Sequence, residues 1–298
     1  MTEAVKIAQQ YYDGTETDRM YAAIWGGEHI HYGIYTQPHE PIHNASLRTV
    51  ETIAQTLEKI DQNSRVIDLG AGYGGAARYL AKTYGCHVYC LNLSQLQNQR
   101  NSQLNQEQNL SHLVEVTQGS FDDIPYPDKS FDIVWSQDAI LHSGDRRQVF
   151  QEIKRVLKPG GELIFTDPMQ SETCPPGLLQ PAFERLGIGD MGSYRFYSQT
   201  AKDLGFEELH FIDLSENVPI HYRRFGEEVQ KRYDEVVQLT SNEFADKTLN
   251  SIQPWIERYE QGYMQWGILH FRLLEEDNFQ SILQDKNKNN KPNWLAKS

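Results

Sequence analysis

Residues 66–81, VIDLGAGYGGAARYLA, place an aspartate and four glycines between an apolar run and a helical one. Gly70, Gly72, Gly74 and Gly75 make a strand-to-helix turn whose backbone can come close to a ligand at a helix N-terminus. Asp68, two residues before the first glycine, offers carboxylate oxygens to ligand or loop amides. Such a turn can hold a dinucleotide, a phosphate or a nucleoside. No Gly-Lys-Ser/Thr follows, so it is not a phosphate-binding P-loop. The dinucleotide fingerprint is formally met, because its third small residue falls at Gly75. A tight strand–helix junction that binds nothing is the remaining reading.

The surrounding pattern has to position this turn. Apolar, β-rich runs recur at RVIDL (65–69), HVYCL (87–91), LVEVTQ (113–118), FDIVWS (131–136) and GELIFTD (161–167). Helical segments from about Gly74, from about Ser94 and over 145–157 separate them, which predicts a parallel sheet covered on both faces. Upstream, residues 3–24 read as one or two short helices. From Asn44 to Ile60, Leu47, Val50, Ile53, Ala54, Leu57 and Ile60 share one helical face. After Asp167 the pattern changes: 168–193 is a Pro- and Gly-rich loop with a short helix around 178–187. A helix–strand pair follows in SQTAKDLGFEELHFIDL, then a polar helical stretch over 216–262 and a late strand, YMQWGILHFRLL (263–274). Two largely helical insertions thus stand over the strand ends, where they can form a lid. There is no internal repeat, and the tail QDKNKNNKPNW is expected to fray.

The 298 residues suit one large α/β domain with a cap. With 28 basic and 41 acidic residues the net charge is −13, which disfavours nucleic acid as a partner. Cys86, Cys90 and Cys174 are odd in number and lack metal-type spacing, as expected of structural thiols in a reducing compartment. No run approaches a membrane span, and the N-terminal residues carry no cleavage-like signal, so a cytoplasmic monomer or homodimer is expected.

Two further stretches choose among the ligands. GSFDDIPYPDKSFDIVWSQDAILHSGD (119–145) and EIKRVLKPGGELIFTD (152–167), taken with the glycine turn, resemble the class I S-adenosylmethionine-dependent methyltransferases over about residues 60–170. The resemblance implies a Rossmann-like seven-stranded, mostly parallel α/β sheet with an antiparallel last strand. The cofactor, S-adenosylmethionine, would lie across the strand C-terminal ends beneath a helical cap. Residues 1–60 would form an N-terminal segment closing the cofactor site, and 61–298 the methyltransferase domain, with cap insertions at about 168–198 and 216–262. By the same resemblance Gly70, Ala71 and Gly72 line the methionine part. Asn92 and Leu93 stand at the ribose, with Asn92 where most of the family has an acid, and Gln97 can add a second contact. Ser120 and Phe121 fall at the adenine, and Gln137 and His142 at the cofactor's amino group. His142 reads equally as a satisfied helix-start histidine.

The outer segments WGGEHIHYGIY (25–35), CLNLSQLQNQRN (90–101), WSQDAILHS (135–143), TDPM (166–169) and DMGSYRFYS (190–198) look like the sarcosine/dimethylglycine N-methyltransferases, which make betaine. Methyl transfer from a sulfonium is an in-line displacement, served mainly by alignment of the reactants. An amine acceptor must present its lone pair, which an apolar or aromatic pocket favours, and its carboxylate needs a cation, best a guanidinium. Arg195 is the leading candidate clamp, although it reads equally as a surface arginine. Met169, Tyr194, Tyr222 and Trp266 are candidate pocket walls, and Trp25 and His31 candidates for closing the cofactor site. A C-methyltransferase acting on a prenyl, phenolic or sterol-like molecule is the alternative; a non-catalytic cofactor-binding protein is a third reading.

Overall fold

A computed structural model describes residues 15–25 and 27–275. Seven strands form one sheet in the order β3-β2-β1-β4-β5-β7-β6. They are β1 (Arg65–Leu69), β2 (His87–Asn92), β3 (Val114–Gln118), β4 (Phe131–Gln137), β5 (Leu157–Gln170), β6 (Phe206–Asp213) and β7 (Met264–Leu273). Neighbouring pairs among β1 to β5 run parallel, and β7 runs antiparallel to both β5 and β6. The expected topology is therefore the one observed. β5 is longer at both ends than the run 161–167, because β4 pairs along one edge and β7 along the other, as far as Gln170. Edge strand β6 exposes Glu207 and Glu208, charges that discourage pairing with another chain.

Helices α2 (Ile42–Thr56) and α3 (Gly75–Tyr84) cover one sheet face. Val50, Ile53, Ala77 and Leu80 pack there with Val66, Trp135 and Ile268. Helix α4 (Gln95–Glu107) follows β2, its N-cap Ser94 accepting from the Gln97 amide. On the other face, α5 (Arg146–Val156) buries Val149, Phe150, Ile153 and Val156, the i, i+1, i+4, i+7 stripe of an amphipathic helix. Its N-cap Asp145 accepts from the Gln148 amide, a contact worth about 1 kcal/mol. α7 (Tyr194–Asp203) adds Tyr197 and Ala201 to that layer. The expected helix 44–60 begins at Ile42 and ends by Leu57, whose ψ of 136° turns the chain extended toward β1.

A third core lies over the strand ends. α8 (Asn217–Lys231), α9 (Tyr233–Leu239), α10 (Asn242–Glu260) and the short α6 (Gln180–Leu186) meet α1 (Thr15–Met20) and a π-helical turn (Tyr21–Trp25). Met20, Ile24, Trp25, Tyr32, Phe225, Ile252 and Trp255 are buried together there. The two insertions thus build a cap, and the N-terminal segment contributes to it. The expected helical residues before Thr15 and the frayed tail lie outside the described residues. Among the described residues no helix is long and apolar enough to cross a membrane.

Candidate active site

The glycine turn, the loop after β2 and the end of β4 face a common cavity. Gly70, Gly72, Asn92, Leu93, Ser94, Gln97, Gly119, Phe121, Gln137, Asp138, Ala139, His142 and Ile30 line it. The backbone needs glycine at two of these positions. Gly70 and Gly72 have φ of +78° and +53°, and a Cβ on Gly70 would run into the Ala139 methyl. The Gly70 amide donates to the Leu91 carbonyl at 2.8 Å, tying the turn to β2. Asn92 donates from Nδ2 to Gln97 Oε1 at 3.1 Å, which leaves its side-chain Oδ1 for a hydroxyl donor. Gln137 accepts from the Trp135 indole at 3.1 Å, while its buried Nε2 has no partner. A buried amide without a partner, beside a glycine cradle and an amide pair, fits a ligand with hydroxyls and polar acceptors.

The segment 27–35, ahead of the helical insertions, crosses this cavity as a lid. A Cβ on Gly72 would come within 2.9 Å of Ile30 Cδ1, so Ile30 lies directly over the turn. Glu28 holds the segment through Arg78 Nε at 2.9 Å and Gln108 Nε2 at 2.7 Å. The Arg78 guanidinium also donates to the Tyr73 carbonyl and to Asn101 and Asn105, linking the glycine turn to the lid. Farther along, His221 Nδ1 accepts from the Gly33 amide at 3.2 Å and lies 3.1 Å from the Tyr35 hydroxyl. Burial, then the charge of His31, lowers the His221 pKa to about 3, so the imidazole stays neutral and can accept.

Behind the cavity the aromatic side chains of the cap core pack into the walls of a closed chamber with no open volume. The Tyr32 and Tyr222 hydroxyls are 2.8 Å apart, and Tyr222 stacks on Trp255 with ring centroids 5.7 Å apart. Trp266 meets Tyr32 edge-on at 5.6 Å, and Trp25 packs on Tyr32, Tyr222 and His221. The Tyr259 hydroxyl is buried beside the Tyr32–Tyr222 pair, and burial, then Tyr222, pushes its pKa well above the usual range. Asp138 joins chamber to cavity. Its φ is +51°, and its carboxylate accepts from the Tyr32 amide (2.9 Å), Thr166 Oγ1 (2.8 Å) and Trp266 Nε1 (2.7 Å). Burial raises its pKa while these three donors pull it back.

Several of the residues singled out from the sequence come together here: Gly70, Gly72, Asn92, Leu93, Gln97, Phe121, Gln137 and His142 at the cavity, Tyr222 and Trp266 at the chamber. Burial, then nearby Arg146, holds His142 down at about 4, which makes it neutral at the cavity wall. Ala71 sits between two lining glycines without lining the cavity. Asp68 is buried below the turn, away from the cavity wall, with burial raising its pKa to about 7. Ser120 caps its own turn, accepting from the Asp122 amide, while its neighbours Gly119 and Phe121 line the cavity.

The acceptor-side expectations need three corrections. Arg195 is exposed on α7 and lines neither cavity nor chamber, because that helix turns Tyr197, Thr200 and Ala201 inward. Tyr194 stacks on Phe211 at 4.2 Å and donates to Glu208, on the outer side of the sheet. Met169 is buried in the layer under α5 and α7, on the β5 face opposite Pro168, the residue paired with Trp266. Of the two residues expected to close the cofactor site, Trp25 belongs to the chamber and donates to the His31 carbonyl, and His31 is buried beside Tyr32. The residue over the glycine turn is Ile30, between them. Nothing local in the sequence marks Asp138, Tyr32 and Tyr259 beyond one acid immediately after the Gln137 strand end and a tyrosine within the glycine-broken aromatic run.

A seven-stranded sheet with β7 antiparallel, and a glycine turn after β1 opening on the strand C-terminal ends, define a class I methyltransferase that uses S-adenosylmethionine. The methyltransferase-domain family model matches residues 67–165. The sarcosine/dimethylglycine N-methyltransferase of Halorhodospira halochloris is 47% identical over 91% of this chain and 97% of its own length. That of Aphanothece halophytica is 47% identical over 91% and 99%. The crystal structure of a candidate sarcosine dimethylglycine methyltransferase from Galdieria sulphuraria superposes with a TM-score of 0.84 at 39% identity, covering 89% of this chain and all of that one. The chain belongs to the sarcosine/dimethylglycine N-methyltransferase family.

Proposed function

We propose that this enzyme methylates the nitrogen of sarcosine and dimethylglycine, yielding glycine betaine, and that the aromatic chamber receives the amine. The observation that carries this reading is the junction of chamber and cavity through Asp138, which brings an aromatic box next to the cofactor's place. The names of the relatives point to the same acceptors.

When bound, S-adenosylmethionine supplies a methyl group activated on its sulfonium. Gly70, Gly72, Asn92, Gln97, Phe121 and Gln137 would hold it, and Ile30 would cover it. The chamber does the rest by placement. Its apolar walls disfavour an ammonium ion, so the amine enters as the free base with its lone pair available. The ring faces attract the cationic product's charge as it forms. Asp138 and Tyr32 set the chamber's position against the cavity, where alignment supplies most of the rate. The reaction is proposed for the cytoplasm, in keeping with three free thiols, by a monomer or homodimer.

The test is transfer of labelled methyl from S-adenosylmethionine to glycine, sarcosine, dimethylglycine and a phenol. Sarcosine and dimethylglycine should be labelled, faster as pH rises and the amine deprotonates. Labelling of the phenol alone would favour the other substrate class, and cofactor binding without any labelling would favour a non-catalytic protein.

A further inference from the structure

A polar groove of about 570 Å³ opens on the surface between the N-terminus of α5 and the loop 187–193. Its inner wall includes Arg146 and Met191, and Met191 is part of the cap core that forms the aromatic chamber. The Arg146 side chain is only 7% exposed, yet its charge is permanent. One Nη donates to the Leu141 carbonyl at 3.0 Å, and Leu141 belongs to the same cap core. The guanidinium also donates to the Asp190 carboxylate (2.6 Å) and carbonyl (2.7 Å), and on its buried side it faces the Tyr197 hydroxyl and the Asp167 carboxylate.

The asymmetry of this ion pair is informative. Asp190 is 79% exposed and rides on a loop, so it reaches a buried cation from the solvent side. A buried guanidinium needs a carboxylate, since an unpaired buried charge is costly. It does not need this particular one. A second carboxylate arriving through the groove can replace Asp190 in the two-bond geometry that carboxylates form with arginine. The groove's other charges are spent elsewhere or at its rim: Asp145 caps α5, Arg147 lies over the Phe196 ring, and Glu172 is exposed.

We infer that the groove is a carboxylate-binding port, in which the acceptor's carboxylate displaces Asp190 from Arg146 on its way to the chamber. The inference rests on the amino-acid acceptor proposed above. It assigns the missing cation to Arg146, four residues beyond the cavity-lining His142.

Two variants and two ligands test it. Asp190→Asn removes the competing carboxylate and leaves Arg146 short of a partner until a ligand arrives, so it should also lower the melting temperature. It should lower the KM for dimethylglycine several-fold with the cofactor Kd unchanged. Arg146→Lys should raise that KM by about tenfold or more, since an ammonium cannot reproduce the fork. Acetate, a carboxylate without an amine, should bind the wild type by calorimetry, more tightly to Asp190→Asn and not detectably to Arg146→Lys. A purely structural ion pair predicts otherwise: Asp190→Asn leaves KM and acetate binding as they were. That result overturns the port even if dimethylglycine is methylated. Acetate binding that follows both variants in a protein that ignores dimethylglycine upholds the port and overturns the acceptor.

Discussion

The Trp266 indole donates to the Asp138 carboxylate at 2.7 Å. Trp266 comes from the antiparallel last strand and belongs to the cap core, whereas Asp138 ends β4 and lines the cofactor cavity. The same carboxylate holds the Tyr32 amide of the lid. One half-buried side chain therefore links lid, chamber and cavity. Asp138→Asn keeps the shape but turns one acceptor oxygen into a donor facing donors. The fold should lose about 1–3 kcal/mol, and cofactor affinity should fall with it, as urea unfolding and calorimetry would register. Wild-type values in both experiments would remove Asp138 from this role.

Gly72→Val puts a β-branched side chain at a φ of +53° and pushes it against Ile30. Left-handed strain of roughly 1–2 kcal/mol leaves a folded protein by circular dichroism. Cofactor titration should nevertheless show at least a tenfold loss of affinity, because both turn and lid are displaced. An unchanged titration would mean that the cofactor does not approach this turn.

How much of this was legible in the sequence depended on distance along the chain. β1 falls on RVIDL, and the glycine turn and Gln137 sit in contiguous motifs whose local geometry is enough to aim them. The chamber has no such signature: Trp25, Tyr32, Tyr222, Trp255 and Trp266 meet only after the cap folds over the strand ends. Arg195 is instructive. On α7 it stands two residues before buried Tyr197, about 200° around the helix, so helical periodicity already turned it outward. Arg146 was hidden in a charged helix start, where its burial depends on Asp190 and Leu141.

Asn92 offers a milder perturbation. Asn92→Ala should weaken S-adenosylmethionine binding by about 1 kcal/mol, the worth of one hydrogen bond. Asn92→Asp should bind as well as wild type or better, with Gln97 rotating to donate. Equal affinity in all three proteins would shift the ribose contact to Gln97.

The lid should respond to acid. His221 and His31 are held near 3 and 4 by burial, against 6.5 for the free imidazole. As pH falls below about 6.5 the unfolded chain takes up protons that the fold refuses, so stability declines progressively from there toward pH 3. His221→Gln still offers an acceptor to the Gly33 amide but cannot be charged. Its urea midpoint should drop less than that of the wild type between pH 7.5 and 5.5. Parallel declines would show that His221 is not one of the titrating groups.

The most direct test of the acceptor site is Tyr222→Phe, which removes one hydroxyl of the 2.8 Å pair with Tyr32 and little else. Steady-state methylation of dimethylglycine should show kcat/KM reduced by about tenfold, with the cofactor Kd within about twofold of wild type. Wild-type kcat/KM in Tyr222→Phe would contradict the placement of the acceptor in the aromatic chamber.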